Sequence, residues 1–280
     1  MATAPLRIGI ICVAPQIAHA YGLLLRDLGH DPVCVITPRR VRAGMPPLPF
    51  SADFLADTPD ELDILFAASR SSLVPLLRTY DLDLGLCTTF PWRISAEAIS
   101  VPRLGIVNGH PSLLPHYRGP TPIAWAIRNG EREIGMSYHL MDETFDTGNV
   151  LAQKVVPLED GDTFDTLMAR MGPVAAELLP LVLDRLARGD RGDPQEGGDY
   201  QSWFEDDYRY VDVDQPAAAV HNQVRAWRFM PPLPDRGPIF ERDGRQIRLL
   251  FTSLAEVEGS ERLDCADGPL WILESEPVGG

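Results

Sequence analysis

Asn108, His110 and Asp146 are residue types from which an acyl-transfer site can be built. Asn108 and His110 stand two apart where an apolar run, residues 104–108, comes to its end. On extended backbone, side chains two apart project to the same side, so an amide and an imidazole converge there. Further on, Met141-Asp142-Glu143-Thr144-Phe145-Asp146-Thr147-Gly148 is a polar loop between two strand-like runs, rich in carboxylates. For transfer of an acyl group to an amine, an imidazole takes or relays the proton the amine loses. An amide N–H can donate to the oxyanion that forms, and a carboxylate can orient the imidazole and stabilise its charged form.

Each residue also has a plainer reading. A lone histidine at a strand end is ordinarily a structural hydrogen-bonding group. Asp146 alone fits an Asx turn, and Asp142 and Glu143 fit a solvated loop face. His116 and His139 are read as structural or substrate-proximal. Arg118 fits either a loop anchor or a contact to an anionic group. It is the joint pattern that favours catalysis.

The positioning elements follow from periodicity. Residues 6–14, 32–37, 81–88 and 104–108 read as buried strands, being short runs rich in Ile, Val and Leu. Residues 16–28 have helical spacing, with Ile17, Tyr21, Leu24, Leu25 and Leu28 on one side. Residues 58–69, 72–79 and 95–99 also read as helical. Alternating strands and helices imply an α/β fold with a Rossmann-like, mainly parallel sheet. The carboxyl ends of its strands are where ligands bind. The first strand-to-helix turn, Cys12-Val13-Ala14-Pro15-Gln16-Ile17, has no glycine. A dinucleotide is therefore not expected there.

Residues 122–129 read as a short helix opened by proline, and 134–141 and 150–156 as strands. Residues 162–187 are helical in pattern, with Pro173 and Pro180 expected to kink or divide the helix. Residues 188–200 are polar, rich in Gly and Asp, and read as a linker. They separate a catalytic domain, residues 1–190, from a small, mainly β domain, residues 201–280. In the latter, 216–227 reads as a helix, and 238–242, 246–252 and 270–274 as strands, with Asp243-Gly244 as a hairpin turn.

The segment Asn108-Gly109-His110-Pro111-Ser112-Leu113-Leu114-Pro115-His116-Tyr117-Arg118-Gly119 has the form N-x-H-x-S-L-L-P-x-x-R-G, and D-x-G follows at Asp146–Gly148. This resembles the signature of the 10-formyltetrahydrofolate-dependent formyltransferases, a family that includes methionyl-tRNA formyltransferase. The resemblance implies that Asn108, His110 and Asp146 are the catalytic triad. It implies a folate pocket built from Phe90, Pro91, Trp92, Arg93 and Ile94 beside the pterin. Ser112, Leu113, Leu114 and Pro115 would form an adjoining loop, with Asp142, Glu143 and Gly148 in a folate-binding loop. It implies 10-formyltetrahydrofolate as formyl donor and no metal. The pattern departs from many members at Gly109, where Val or Leu is common, and at Pro111, where Ala or Gly is. The His-Pro-Ser-Leu-Leu-Pro form is also similar to the folate-hydrolysing domain of formyltetrahydrofolate dehydrogenase, although Asn108 fits the transferases better.

Bulk properties restrict the acceptor. The net charge is −15, and residues 201–280 carry 15 Asp and Glu against 8 Arg, a net of −7. A tRNA-binding domain should be basic. Arg39-Arg40-Val41-Arg42 is a local exception too small to reverse the balance. The expected acceptor is the amine of a small biosynthetic substrate, an amino sugar or a hydroxylated amino acid. Methionyl-tRNA and, further behind, water (hydrolysis of the donor) are the alternatives. No C-x-x-C pair suggests zinc. No signal pattern and no run of about 18 apolar residues suggest a cytoplasmic protein without a membrane span. A homo-oligomer is compatible with the sequence.

Overall fold

The computed structural model describes residues 4–40, 62–230, 237–242 and 244–278. Strand β1 (Arg7–Ile11) is buried from its second residue on. A strand covered on both faces needs such a continuous apolar run. Helix α1 (Pro15–Asp27) starts on a proline, whose missing N–H costs nothing in the first turn. It turns Ala18, Tyr21, Gly22 and Leu25 inward. It stops at Gly29, whose φ of +79° lets the Gly29 and His30 N–H groups close on the last carbonyls.

There follow β2 (Asp31–Pro38), β3 (Asp63–Ala67), α2 (Leu73–Arg78), β4 (Leu84–Thr88), α3 (Ala96–Ile99) and β5 (Ile106–His110). Next come α4 (Pro122–Arg128), β6 (Glu133–Leu140), β7 (Val150–Pro157) and α5 (Phe164–Ala187). The sheet order is β3-β2-β1-β4-β5-β6-β7. The β1–β2, β2–β3, β1–β4 and β4–β5 pairs are parallel, whereas β6 runs antiparallel to β5. The order reverses direction between β1 and β4, which opens a crevice at the carboxyl ends of the strands.

Three expectations are corrected. The described part of 58–69 is not helical: residues 63–67 form β3, paired with β2 from Cys34↔Asp63 to Pro38↔Ala67, while 58–61 lie outside the described residues, as do Val41 and Arg42. An apolar run this short has no decisive period, and pairing to a neighbouring strand settles it. Pro173 and Pro180 do not divide α5, a single helix of 24 residues. Burial of Leu167, Met171, Leu178, Val182 and Leu186 offsets the two missing N–H groups. Finally, α5 is long and apolar enough, by length and composition, to cross a bilayer. Core helices of soluble proteins pass the same test, and 39% of the apolar window of α5 is buried.

The chain divides into two compact units. One comprises Met1–Arg118, Met136–Lys154 and Gly172–Gly198; the other comprises Gly119–Gly135, Val155–Met171 and Asp199–Gly280. In the second unit, α6 (Ala217–Trp227) packs on an antiparallel sheet of β8 (Ile239–Arg242), β9 (Arg245–Ser253), β10 (Glu261–Cys265) and β11 (Gly268–Pro277), in the order β10-β11-β9-β8. Val220 and Val224 meet Leu249, Leu263, Leu270 and Ile272 in its core. Arg242 pairs with Arg245 across the expected hairpin, where Gly244 has φ +72°; Asp243 lies outside the described residues. Strand β10 has no counterpart among the strands expected from sequence, because Glu261-Arg262-Leu263-Asp264-Cys265 buries only Leu263.

Candidate active site

Strand β5 carries Asn108 and His110 in its pairing with both neighbours. Asn108 lies opposite Cys87 of β4 and His139 of β6, and His110 lies opposite Ser137. The expected convergence at the strand's end is therefore present, and a third ring joins it. Asn108 Nδ2 is 3.1 Å from His139 Nε2 and donates to Asp146 Oδ1 at 3.4 Å. His110 Nδ1 is 3.7 Å from that same Oδ1, and His139 Nε2 is 3.4 Å from it.

Tautomers follow from the outer contacts. His110 Nε2 is 3.0 Å from the Tyr117 carbonyl, which can only accept, so Nε2 carries the proton. In the neutral ring the lone pair then sits on Nδ1, facing Asp146. His139 Nδ1 likewise donates to the Leu140 carbonyl at 2.9 Å. Its Nε2 is left to accept from Asn108, so both amide hydrogens of Asn108 are engaged. The His110 side chain is 6% exposed and that of Asp146 12%. Burial pulls the His110 imidazole below its ordinary value; the charge of Asp146 and the Tyr117 carbonyl oppose that shift, and His139 adds to it. His110 is thereby neutral and able to act as a base near neutral pH.

The loop bearing Asp146 is held by close backbone fits. Asp146 has φ +58°, a region few side chains adopt. At Gly148 a Cβ would lie 1.8 Å from the Leu140 carbonyl oxygen, so only glycine fits the second half of the D-x-G motif. Asp142 accepts from the Thr144 N–H at 2.9 Å and from the Thr147 hydroxyl at 2.8 Å, which makes it a cap for its own loop.

The segment after β5 is fixed in the same way. Ser112 Oγ donates to the His116 carbonyl at 2.7 Å, and Ser137 Oγ donates to the Ser112 carbonyl at 2.6 Å. The Leu114 N–H reaches Ser137 Oγ at 3.3 Å. Leu114 is buried and Leu113 and Pro115 are half-buried. At Gly109, Met136, Tyr138 and Tyr21 occupy the space a side chain would need, and the two tyrosine hydroxyls are hydrogen-bonded at 2.8 Å.

Arg93, Ile94 and Glu143 border a cavity of about 710 Å³, together with Arg70, Val74 and Ser95. Leu114 and Pro115 border another of about 300 Å³, with Gln153, Arg185 and Gln195. In the 90–94 segment the side chains alternate. Trp92 and Ile94 point into the core, and Pro91 and Arg93 are exposed. Phe90 packs edge-on to Trp92, at 5.6 Å between ring centroids. Arg93 Nε donates to the Glu143 carbonyl at 2.8 Å, joining this segment to the loop that carries Asp146. Among the described residues, no three of His, Cys, Asp and Glu form a set that could hold a metal.

Two participants were not legible as such. His139 is 1% exposed and touches both Asn108 and Asp146. The register of two adjacent strands places it, and that register is not written in the local sequence. Gln195, in the stretch read as a linker, donates to the carbonyls of Asp146 at 3.0 Å and Gly148 at 2.7 Å. Its own carbonyl accepts from Arg118 Nε at 3.1 Å and Nη2 at 2.8 Å, so Arg118 anchors a loop.

Residues 4–183 match the family model described as Formyl transferase. A methionyl-tRNA formyltransferase of Sinorhizobium medicae is 30% identical over 299 residues, covering 99% of this chain and 93% of that protein. Two solved structures share the fold. HypX from Aquifex aeolicus in complex with tetrahydrofolic acid superposes with a TM-score of 0.68 at 19% identity, over 97% of this chain and 44% of that one. This chain thus spans less than half of HypX. An N-formyltransferase from Helicobacter canadensis, in complex with folinic acid and dTDP-3-aminofucose, gives 0.66 at 17% identity, over 97% of this chain and 100% of that one. The match over residues 4–183, the near full-length relative and the Asn108-x-His110…Asp146 geometry agree, and the chain belongs to the 10-formyltetrahydrofolate-dependent formyltransferase family.

Proposed function

We propose that the enzyme transfers the formyl group of 10-formyltetrahydrofolate to the amine of a small biosynthetic substrate, an amino sugar or a hydroxylated amino acid. The observation that carries the chemistry is the approach of Asn108 Nδ2, at 3.4 Å, and His110 Nδ1, at 3.7 Å, to the same oxygen, Asp146 Oδ1. When bound, 10-formyltetrahydrofolate supplies the electrophilic formyl carbon. The cavity of about 710 Å³ has room for part of such a ligand, with Arg70 and Arg93 on its border available to carboxylates.

Asn108 Nδ2 releases one of its present partners and donates to the formyl oxygen as negative charge gathers there. His110 Nδ1 takes the proton that the attacking amine gives up, and returns it to the nitrogen that leaves. Asp146 stabilises the imidazolium formed in between.

Charge supports a small acceptor. A net of −7 over residues 201–280 opposes a polyanion. The second reading, formylation of methionyl-tRNA, is favoured by the 30% identity to the Sinorhizobium enzyme across nearly its whole length. Release of tetrahydrofolate from 10-formyltetrahydrofolate separates the readings. It is measured without acceptor, with charged initiator tRNA, and with amino sugars and hydroxylated amino acids. Release that requires a small amine supports the proposal. Release with tRNA alone replaces it with the second reading, and release in water alone makes the enzyme a hydrolase.

A further inference from the structure

We propose that Gln195 is a positioning residue for formyl transfer: its side-chain amide clamps the Asp146 loop to the loop after β5 and so holds the carboxylate in register with His110. The inference rests on the catalytic reading of Asn108, His110 and Asp146 and adds to it a residue outside the motif.

The amide is used at every available point. Its Nε2 donates to the Asp146 carbonyl at 3.0 Å and the Gly148 carbonyl at 2.7 Å, on either side of Thr147. Its Oε1 accepts from Arg118 Nε at 3.1 Å and Nη2 at 2.8 Å. Arg118 directly follows Tyr117, whose carbonyl fixes the proton on His110 Nε2. Gln195 therefore joins the two loops that set the two halves of the His110–Asp146 pair. A carboxylate at 195 would lack the donors and an aliphatic chain would lack both functions, so an amide is the group the position calls for.

The clamp needs its own anchor, and the preceding residues supply one. Gly192 and Asp193 are tied to the start of β7. Val150 and Asp193 exchange backbone hydrogen bonds at 2.8 and 2.9 Å, and Asn149 Nδ2 donates to the Gly192 carbonyl at 3.3 Å. At Gly192, φ is +81° and a Cβ would meet the Val150 carbonyl oxygen at 2.7 Å. Arg185 of α5 holds Asp190 at 2.7 Å and Asp193 at 3.0 Å. On the far side, Gly198 lies against Pro115, whose carbonyl oxygen a Cβ would meet at 2.3 Å. Residues 190–198 thus form a strap seated on both loops, with Gln195 at its centre. The positive φ of Asp146 gives the strap a task, since a residue in that conformation persists only where its surroundings enforce it.

The test is Q195M, which keeps the length and volume of the side chain and removes both its donor and its acceptor. Three quantities are read: kcat and donor KM from tetrahydrofolate release, the thermal midpoint, and the titration of the His110 ring by NMR, assigned with H110N. We expect kcat to fall about tenfold or more, as a small misplacement of a catalytic group does. Donor KM should stay near wild type, and the thermal midpoint should fall modestly for the four hydrogen bonds removed, with kcat compared at temperatures well below both midpoints. The His110 titration should move to lower pH, because a loosened Asp146 no longer counters burial; the other ring facing His110 is that of His139. Wild-type kcat, or an unmoved His110 titration, overturns the proposal, and so does a loss of kcat that vanishes on cooling below the midpoint. Should the wild-type enzyme turn over no acceptor, the formyl-transfer reading fails on its own and the His110 titration still decides the role of Gln195.

Discussion

Asp146 Oδ1 faces His110 Nδ1 at 3.7 Å, across the ring from the nitrogen that the Tyr117 carbonyl holds protonated. The carboxylate raises the proton affinity of the site-facing nitrogen, against the stronger effect of burial. In D146N that support is lost, and the imidazole falls further below its ordinary value. A base active in its neutral form gives a kcat that rises with pH through the base's pKa. D146N should therefore move the acid limb to lower pH while lowering kcat by about 10²-fold or more, since the imidazolium is no longer stabilised. A pH–rate profile for wild type and D146N checks this, and an unmoved limb would show that His110 is not the titrating base.

Asn108 makes a separate prediction, because its role is confined to the charge that develops during reaction. N108A should lower kcat by about 10²-fold, the scale of losing one oxyanion donor, with donor KM within a few-fold of wild type. If KM rose and kcat held, the amide would be a binding group for the ground state. Steady-state kinetics with saturating acceptor separate the two.

Much of this geometry is legible in residues 104–148, and the reason is local. Two residues apart on a strand share a face, so Asn108 and His110 converge without knowledge of the rest of the fold. Strand-and-helix alternation likewise suffices for the parallel sheet. What escapes is whatever depends on partners distant in sequence. Residues 63–67 are a strand because β2 offers an edge, and their own pattern of burial is irregular. His139 enters the site through the β5–β6 register, and Gln195 through a fold-back of polar chain that composition alone marks as linker.

Gly148 tests whether the D-x-G glycine is required by space. A Cβ there would press on the Leu140 backbone carbonyl at 1.8 Å, and backbone cannot yield as a flexible side chain can. G148A should displace the loop that carries Asp146. The expected cost is about 1–3 kcal/mol of stability, the range of a forced overpacking, together with a loss of kcat at temperatures where the variant is fully folded. Chemical denaturation with parallel activity measurements checks both, and a stable, active G148A would mean that the loop relaxes freely.

His221 predicts acid sensitivity in the second unit. Its ring is buried in α6 with Nδ1 2.8 Å from the Thr252 hydroxyl, and burial, aided by the nearby Arg225 charge, lowers its pKa from 6.5 to about 4. Between those two values the unfolded chain binds the proton and the folded chain does not. Stability therefore rises with pH across that window, and is lost as pH falls from 6.5 toward 4. Replacing His221 with Gln keeps a hydrogen-bonding amide and removes the titration. On acidification from pH 7, H221Q should lose less of its own melting temperature than wild type loses, flattening the slope of the midpoint against pH. Thermal melts of both proteins across the window measure that slope, and equal slopes would assign the acid sensitivity to other groups.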